Sequence, residues 1–371
     1  MDNPVIDHRG PEFAQLTAEV FEGLRSVFQT RQPVLIFPSS GTGAAEAALV
    51  NTLSPGDRVL IFETGHFSHV WKTLAENLGL EVESVPGDWR HGASDVELER
   101  RLASDDRRAL KAVVVVHNET STGVTSRIRD LRLAMNRVGH PALLIVDAVS
   151  SLASIDVRHD EWQVDVTVTG SQKGLMLPPG LGFNAVSEKA LAASRTARLS
   201  RNYWDWQEIL KHNALGFFPY TPATNLLFAL REALRMLHEE GLQNVFRRHS
   251  RHAEAARAAV RTWGLDLVCL DSREYSSSMT AFFMPEGHDA DRLRAIILER
   301  FDMSLGTGLS RLAGKVVRIG HLGSFNDLML AATLSGIEMG LRIAGVPHKD
   351  GGVMAALDCL AGTAVMAGKL G

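Results

Sequence analysis

Residues 142–151 read Ala142-Leu143-Leu144-Ile145-Val146-Asp147-Ala148-Val149-Ser150-Ser151. The first five are apolar without a break, the pattern of a strand buried on both faces rather than one wetted on one side. The run ends on a carboxylate. In an open parallel sheet, ligands bind at the carboxyl ends of the strands, and buried acids are rare unless something pairs with them. A turn-forming Asp that caps the next segment is the competing reading of Asp147.

The same β-rich character recurs at 34–37, 58–62, 81–85, 112–116, 164–169 and 181–186, making seven strands with 142–146. Helical stretches separate most of them. One spans 43–53 and is stopped by Ser54-Pro55-Gly56-Asp57; others span 69–78, 95–103 and 128–138, the last closed by Gly139-His140-Pro141. This alternation predicts an α/β fold with a mostly parallel, seven-stranded sheet covered by helices on both sides. After residue 187 the order changes. Helices are expected over 222–240 (Leu226, Leu227, Leu230, Leu234 and Leu237 on one face) and 244–263, then strands over 265–269 and 279–283. A helix over 289–300, a strand over 315–319 and a helix over 326–343 complete a smaller α+β unit. At 371 residues two domains are expected, a large one at 1–245 and a small one at 246–371.

Composition narrows the function classes. Lys+Arg 39 against Asp+Glu 43 gives −4, no electrostatic footprint for nucleic acid or an acidic membrane surface. No apolar run is long enough to span a bilayer, and the opening residues read as no secretory signal. Cys269 and Cys359 make neither a disulfide framework nor a metal-ligand spacing. The expectation is a cytoplasmic protein with no nucleic-acid or membrane partner and no metal. His66 and His69, three apart, lack a third ligand.

Two further segments carry chemistry. Pro38-Ser39-Ser40-Gly41-Thr42-Gly43 lies between a strand and a helix, where backbone N–H groups and hydroxyls converge on an anion. An ordinary turn with a capping hydroxyl would use the same residues. Lys173 follows Thr169-Gly170-Ser171-Gln172 and precedes an apolar, proline-stiffened loop ending Pro178-Pro179-Gly180. A solvated surface charge is the usual reading of a lysine. Here the flanks favour a desolvated amine able to form a Schiff base. A phosphate cradle, an aldehyde-binding lysine and a carboxylate for a ring nitrogen are together what pyridoxal 5'-phosphate requires.

The Asp147-to-Lys173 spacing, the segment 169–173 and the Pro-Pro-Gly after it resemble the class V, fold type I aminotransferases. So do His117-Asn118-Glu119-Thr120-Ser121-Thr122-Gly123-Val124, Phe218-Pro219-Tyr220-Thr221-Pro222 and Gly314-Lys315-Val316-Val317-Arg318-Ile319-Gly320. The serine–glyoxylate and alanine–glyoxylate branches are the most similar. The resemblance implies that Lys173 binds the cofactor aldehyde and shuttles the substrate proton, and that Asp147 pairs with the ring nitrogen. Ser40, Gly41, Thr42 and Gln172 would hold the phosphate, Thr120 the phenolic oxygen, and Phe67 would stack on the ring. Tyr220 and Thr221 would reach the phosphate of a second subunit, implying a homodimer with its active sites at the interface. Arg318 would clamp the substrate carboxylate.

Two features depart from that pattern. The family carries a Gly/Pro-rich arm before the stretch that here begins Met1-Asp2-Asn3-Pro4, so a shortened N-terminal segment is expected. Phe218 stands where some relatives have tyrosine. The resemblance implies transfer of an amino group from L-serine to glyoxylate, giving hydroxypyruvate and glycine. Alanine or aspartate as donor is the near alternative. A cofactor-binding homologue without catalysis is the alternative of another class, and neither cysteine sits in a loop suited to desulfuration.

Overall fold

The computed structural model describes residues 4–362. Helix α1 (Pro11–Phe28) leads into strand β1 (Val34–Ser39), followed by α2 (Gly41–Thr52), β2 (Arg58–Phe62), α3 (His66–Asn77) and β3 (Glu81–Val85). Then come α4 (Asp95–Ala103), β4 (Leu110–Val116), the short pair β5 (Asn118–Glu119) and β6 (Val124–Thr125), α5 (Ile128–Val138), β7 (Leu143–Asp147), β8 (Val166–Gly170) and β9 (Gly180–Val186). All seven expected strands join one sheet, ordered β1-β9-β8-β7-β4-β2-β3. The β8/β7, β7/β4, β4/β2 and β2/β3 contacts are parallel, and β9 alone runs against its neighbours. The sheet is the mixed, mostly parallel one that the apolar runs imply.

Burial explains those runs. On β7, Leu143 and Ile145 face a core built on α2, whereas Leu144 and Val146 face another built on α4 and α5. Each strand therefore needs apolar side chains at odd and even positions alike. Helix α2 presents Ala44, Ala45, Ala47 and Ala48, small enough for close approach to the sheet. A Cβ at Gly182 would stand 2.5 Å from the Ser40 carbonyl oxygen, so glycine there permits that approach.

Two of the helices between sheet strands begin earlier than the sequence suggests. Helix α2 starts at Gly41 rather than 43, and α3 at His66 rather than 69. Both shifts bring candidate site residues into a first helical turn.

The remaining elements are α6 (Glu188–Ser194), α7 (Trp206–Asn213), α8 (Thr224–Glu240), α9 (Leu242–Thr262), β10 (Met279–Phe283), α10 (Ala290–Phe301), β11 (Gly306–Thr307), β12 (Val316–Gly320), α11 (Asp327–Ile343) and α12 (Gly352–Leu360). Strands β10, β12 and β11 form an antiparallel sheet over a separate core that includes Val260, Trp263, Phe282, Ile297 and Leu334. The expected strand at 265–269 is instead an extended segment with a single bridge, Leu267 to Phe282. The Arg90 guanidinium takes the Leu267 and Val268 carbonyls, and the Arg90 carbonyl accepts from the Leu270 N–H. A side chain thus holds groups that a strand would use. Among the described residues, no helix is long and apolar enough to cross a membrane.

Candidate active site

Four strand ends and one helix converge on a cavity of about 270 Å3. Ser40, Gly41 and Thr42 enter it from the β1–α2 junction, Phe67 from α3 and Thr120 from the turn after β5. Asp147 comes from β7, with Gln172 and Lys173 from the segment after β8. Eight of the residues singled out in the sequence therefore share one space. It lies at the carboxyl ends of the parallel strands.

Asp147 is the last residue of β7 and is buried, with only 9 % of its surface exposed. Its Oδ2 accepts from Trp71 Nε1 at 2.7 Å and its Oδ1 from the Val149 N–H at 2.9 Å. Both donors are neutral, and among the described residues no Lys or Arg forms an ion pair with it. Burial pushes its pKa up, opposed by the bonds from Trp71 and Val149. Such a carboxylate calls for a cation from outside the chain.

Lys173 is half-buried in the same cavity. Burial first, and then the Arg318 charge, lower its pKa, which favours the neutral, nucleophilic amine. Helix α2 begins here without a side-chain cap, leaving first-turn N–H groups free at the positive end of its dipole. Beside it, Gln172 Oε1 is buried without a hydrogen-bond partner among the described residues. An uncapped helix start, an orphaned amide oxygen, a desolvated amine and an unbalanced carboxylate fit the phosphate, aldehyde and ring nitrogen of pyridoxal phosphate.

Phe67 is placed by Glu119. The Phe67 and Ser68 N–H groups donate to its carboxylate at 3.1–3.2 Å, and Ser121 donates through both N–H and Oγ. Burial pushes the Glu119 pKa up as well. Gly65 is required beside it, since a Cβ there would stand 2.3 Å from Glu119 Cγ. Thr120 Oγ1 donates to Ser150 Oγ at 2.7 Å, and Ser150 in turn donates to the Asn118 carbonyl.

Arg318, Tyr220 and Thr221 do not line this cavity. Arg318 projects from β12, where Gly306 of β11 is its register partner. Its Nε donates to the Thr307 carbonyl at 2.6 Å and its Nη1 to the Thr120 carbonyl at 2.7 Å. Two donors are thus fixed to backbone while, among the described residues, Nη2 has no hydrogen-bond partner. Tyr220 donates its hydroxyl to the Ile36 carbonyl of its own chain at 2.8 Å and stacks on Tyr203. Phe218 is buried against Phe13 and Tyr220. Thr221 is exposed.

Trp71, Glu119 and Ser150 hold the site together without having been singled out. Trp71 had a signal available, lying four residues after Phe67 and hence on the same helical face. The roles of Glu119 and Ser150 arise from contacts across the chain that no local spacing reveals.

Residues 4–320 match the aminotransferase class-V family. The chain is 48 % identical to a serine–glyoxylate aminotransferase of Methylorubrum extorquens, covering 94 % of this chain and 89 % of that one. It is 45 % identical to an L-aspartate–glyoxylate aminotransferase of Paracoccus denitrificans, over 96 % and 90 %. The crystal structure of a ureidoglycine–glyoxylate aminotransferase from Bacillus subtilis superimposes with a TM-score of 0.89 at 29 % identity, covering 97 % of this chain and 93 % of that one. The chain belongs to the class-V aminotransferase family. It is a fold type I, pyridoxal-phosphate-dependent transaminase that works on an amino acid and a 2-oxo acid.

Proposed function

We propose that this chain transfers the amino group of L-serine to glyoxylate, producing hydroxypyruvate and glycine. One observation carries the reading: Lys173, with its lowered pKa, shares a cavity with Asp147, a buried carboxylate with no cationic partner among the described residues. The named relatives support glyoxylate as the acceptor. Serine as donor rests on the Methylorubrum extorquens protein, and the Paracoccus denitrificans protein makes aspartate the second reading.

When bound, the cofactor supplies an electron sink for the charge that develops at the substrate α-carbon. Asp147 holds its ring nitrogen protonated, because a buried anion favours a cation beside it. Ser40, Gly41, Thr42 and Gln172 bind the phosphate, three of them from the start of α2. Phe67 would cover the ring, and Thr120 would hold its phenolic oxygen. Lys173 holds the cofactor aldehyde between turnovers. Its amine would also be the base that takes the proton from the substrate α-carbon. Arg318 offers Nη2 to the substrate carboxylate, the other two donors fixing its plane.

The active unit in this reading is a homodimer. Thr221 is exposed and available to a second copy, and the Tyr220–Ile36 bond holds the segment that presents it. The reading also keeps the division at 245/246, with residues 1–245 holding the cofactor and 246–371 contributing Arg318. Cytoplasmic residence is part of it, consistent with Cys269 and Cys359 being free thiols.

The test is the visible spectrum of cofactor-loaded protein. The yellow absorbance of lysine-bound cofactor should bleach with L-serine and return with glyoxylate. Bleaching with aspartate or alanine but not serine would change the donor. A band indifferent to every amino acid would favour the non-catalytic homologue.

A further inference from the structure

Four of the tryptophans fall into two groups by the fate of the indole N–H. Trp206 is fully buried, and its Nε1 has no partner among the described residues; the same holds for the Nε1 of Trp89. Trp263 donates to Glu338, which also accepts from the Gly351 and Val353 N–H groups and so ties down the entry to α12. Trp71 is 2 % exposed and lines the active-site cavity, and its Nε1 meets Asp147 Oδ2 at 2.7 Å. A tryptophan filling that volume need not make such a bond.

We propose that Trp71 is a positioning residue of this site, its indole N–H locking the Asp147 carboxyl group in one rotation and leaving that group's free lone pairs for the cofactor. The inference rests on the role given to Asp147 above. Two donors on two different oxygens, Trp71 Nε1 on Oδ2 and the Val149 N–H on Oδ1, fix the torsion about Cβ–Cγ. Each oxygen keeps a second acceptor site. An indole N–H donates and never accepts, so it favours the carboxylate over the protonated acid, against the push of burial.

The charged neighbourhood leaves this bond unrivalled. His117, whose N–H donates to the Asp147 carbonyl, turns its ring to Ser151 and has its pKa pushed down to about 4. Lys173 shares the cavity without an ion pair to Asp147. Arg318 is engaged at Thr120 and Thr307. Helix α3 itself is pinned at its start by Glu119, which accepts from the Phe67 and Ser68 N–H groups. Phe67 and Trp71 lie one turn apart on it. One helix therefore carries both the residue over the ring face and the residue that aims the carboxylate at the ring edge.

Two replacements test this. Trp71→Phe removes the N–H together with part of the ring. Incorporating 3-benzothienylalanine at 71 keeps the bicyclic shape and puts sulfur in place of the N–H, so it decides the matter should Trp71→Phe fail to fold. In unloaded protein, the Asp147 carboxyl band, identified in the infrared by its loss in Asp147→Asn, should titrate at higher pH in either variant. In loaded protein, kcat should fall about tenfold, the scale of a bond to a charged group, with KM for the amino acid within about twofold. The same replacement in an Asp147→Asn background should cost nothing further. An unchanged titration in the benzothienyl protein, or an equal loss of kcat in both backgrounds, would overturn the inference. Wild-type kcat in Asp147→Asn alone would instead overturn the role of Asp147 itself.

Discussion

Asp147 and Asp165 are both buried carboxylates of the central sheet, and they stand at opposite ends of its strands. Asp165 precedes β8 at the amino end. It is paired with Arg132 at 2.8 Å and lies 3.5 Å from Lys189, and it accepts from the Leu144 N–H and the Ser187 hydroxyl. Asp147 ends β7 at the carboxyl end and, among the described residues, its carboxylate has only an indole and a backbone N–H. The chain balances the first charge itself. The second is left for whatever enters the cavity. A buried acid with its own cation is architecture, whereas one held by neutral donors in a cavity marks a binding site.

The largest effect should fall at Lys173, the amine on the unbalanced side. Lys173→Ala should cost at least about a thousandfold in kcat and remove the absorbance of the lysine-bound cofactor. Full activity would mean that the reactive end of the sheet lies elsewhere. The two aspartates should then separate cleanly. Asp147→Asn should lower kcat by about two to three orders of magnitude, seen in single-turnover bleaching by amino acid. Asp165→Asn should leave kcat within about twofold but lower stability by about 3 kcal/mol, because Arg132 would stay buried without its partner. Denaturant unfolding reads the second effect, and equal losses of activity in both variants would erase the contrast.

A smaller change is expected at the mouth. Arg318→Ala should raise KM about tenfold for both the amino acid and the 2-oxo acid, since one guanidinium serves both half-reactions. Unequal effects would assign one carboxylate to another group. The smallest effect is a pH dependence. Burial raises the Asp147 pKa in the folded chain, so its contribution to stability is complete below the unfolded carboxyl pKa. It is lost as pH rises through the folded value. Unloaded protein should lose stability over that window, and Asp147→Asn should lose less, with the remaining slope shared by Glu119, which burial also raises. Thermal unfolding across pH measures it.

The central sheet is legible because burial on both faces writes itself as unbroken apolar runs; all seven expected strands join it, and β2 and β3 have the expected bounds. The segment 265–269 has the same composition, yet Arg90, far away in sequence, takes two of its carbonyls. The cradle at 40–42, Asp147 and Lys173 could be read because each follows a strand and has chemistry of its own. Trp71 offered only its spacing from Phe67, and Glu119 offered no such spacing, because their bonds to Asp147 and to the start of α3 form only across the folded chain. Helices α1, α6, α7 and α12 are absent from the expected elements, although α1 carries Phe13, Leu16, Val20, Leu24 and Val27 on one buried face. For Arg318, no local pattern shows that two donors are bound to backbone by the short strand β11 and the turn at Thr120.

The most direct test of the unbalanced charge is nitrogen-15 NMR of the protein loaded with cofactor labelled at its ring nitrogen. In the wild type that nitrogen should be protonated at neutral pH and remain so well above the pH at which the free cofactor loses its proton; in Asp147→Asn it should not. An unprotonated ring nitrogen in the wild type at neutral pH would contradict the account.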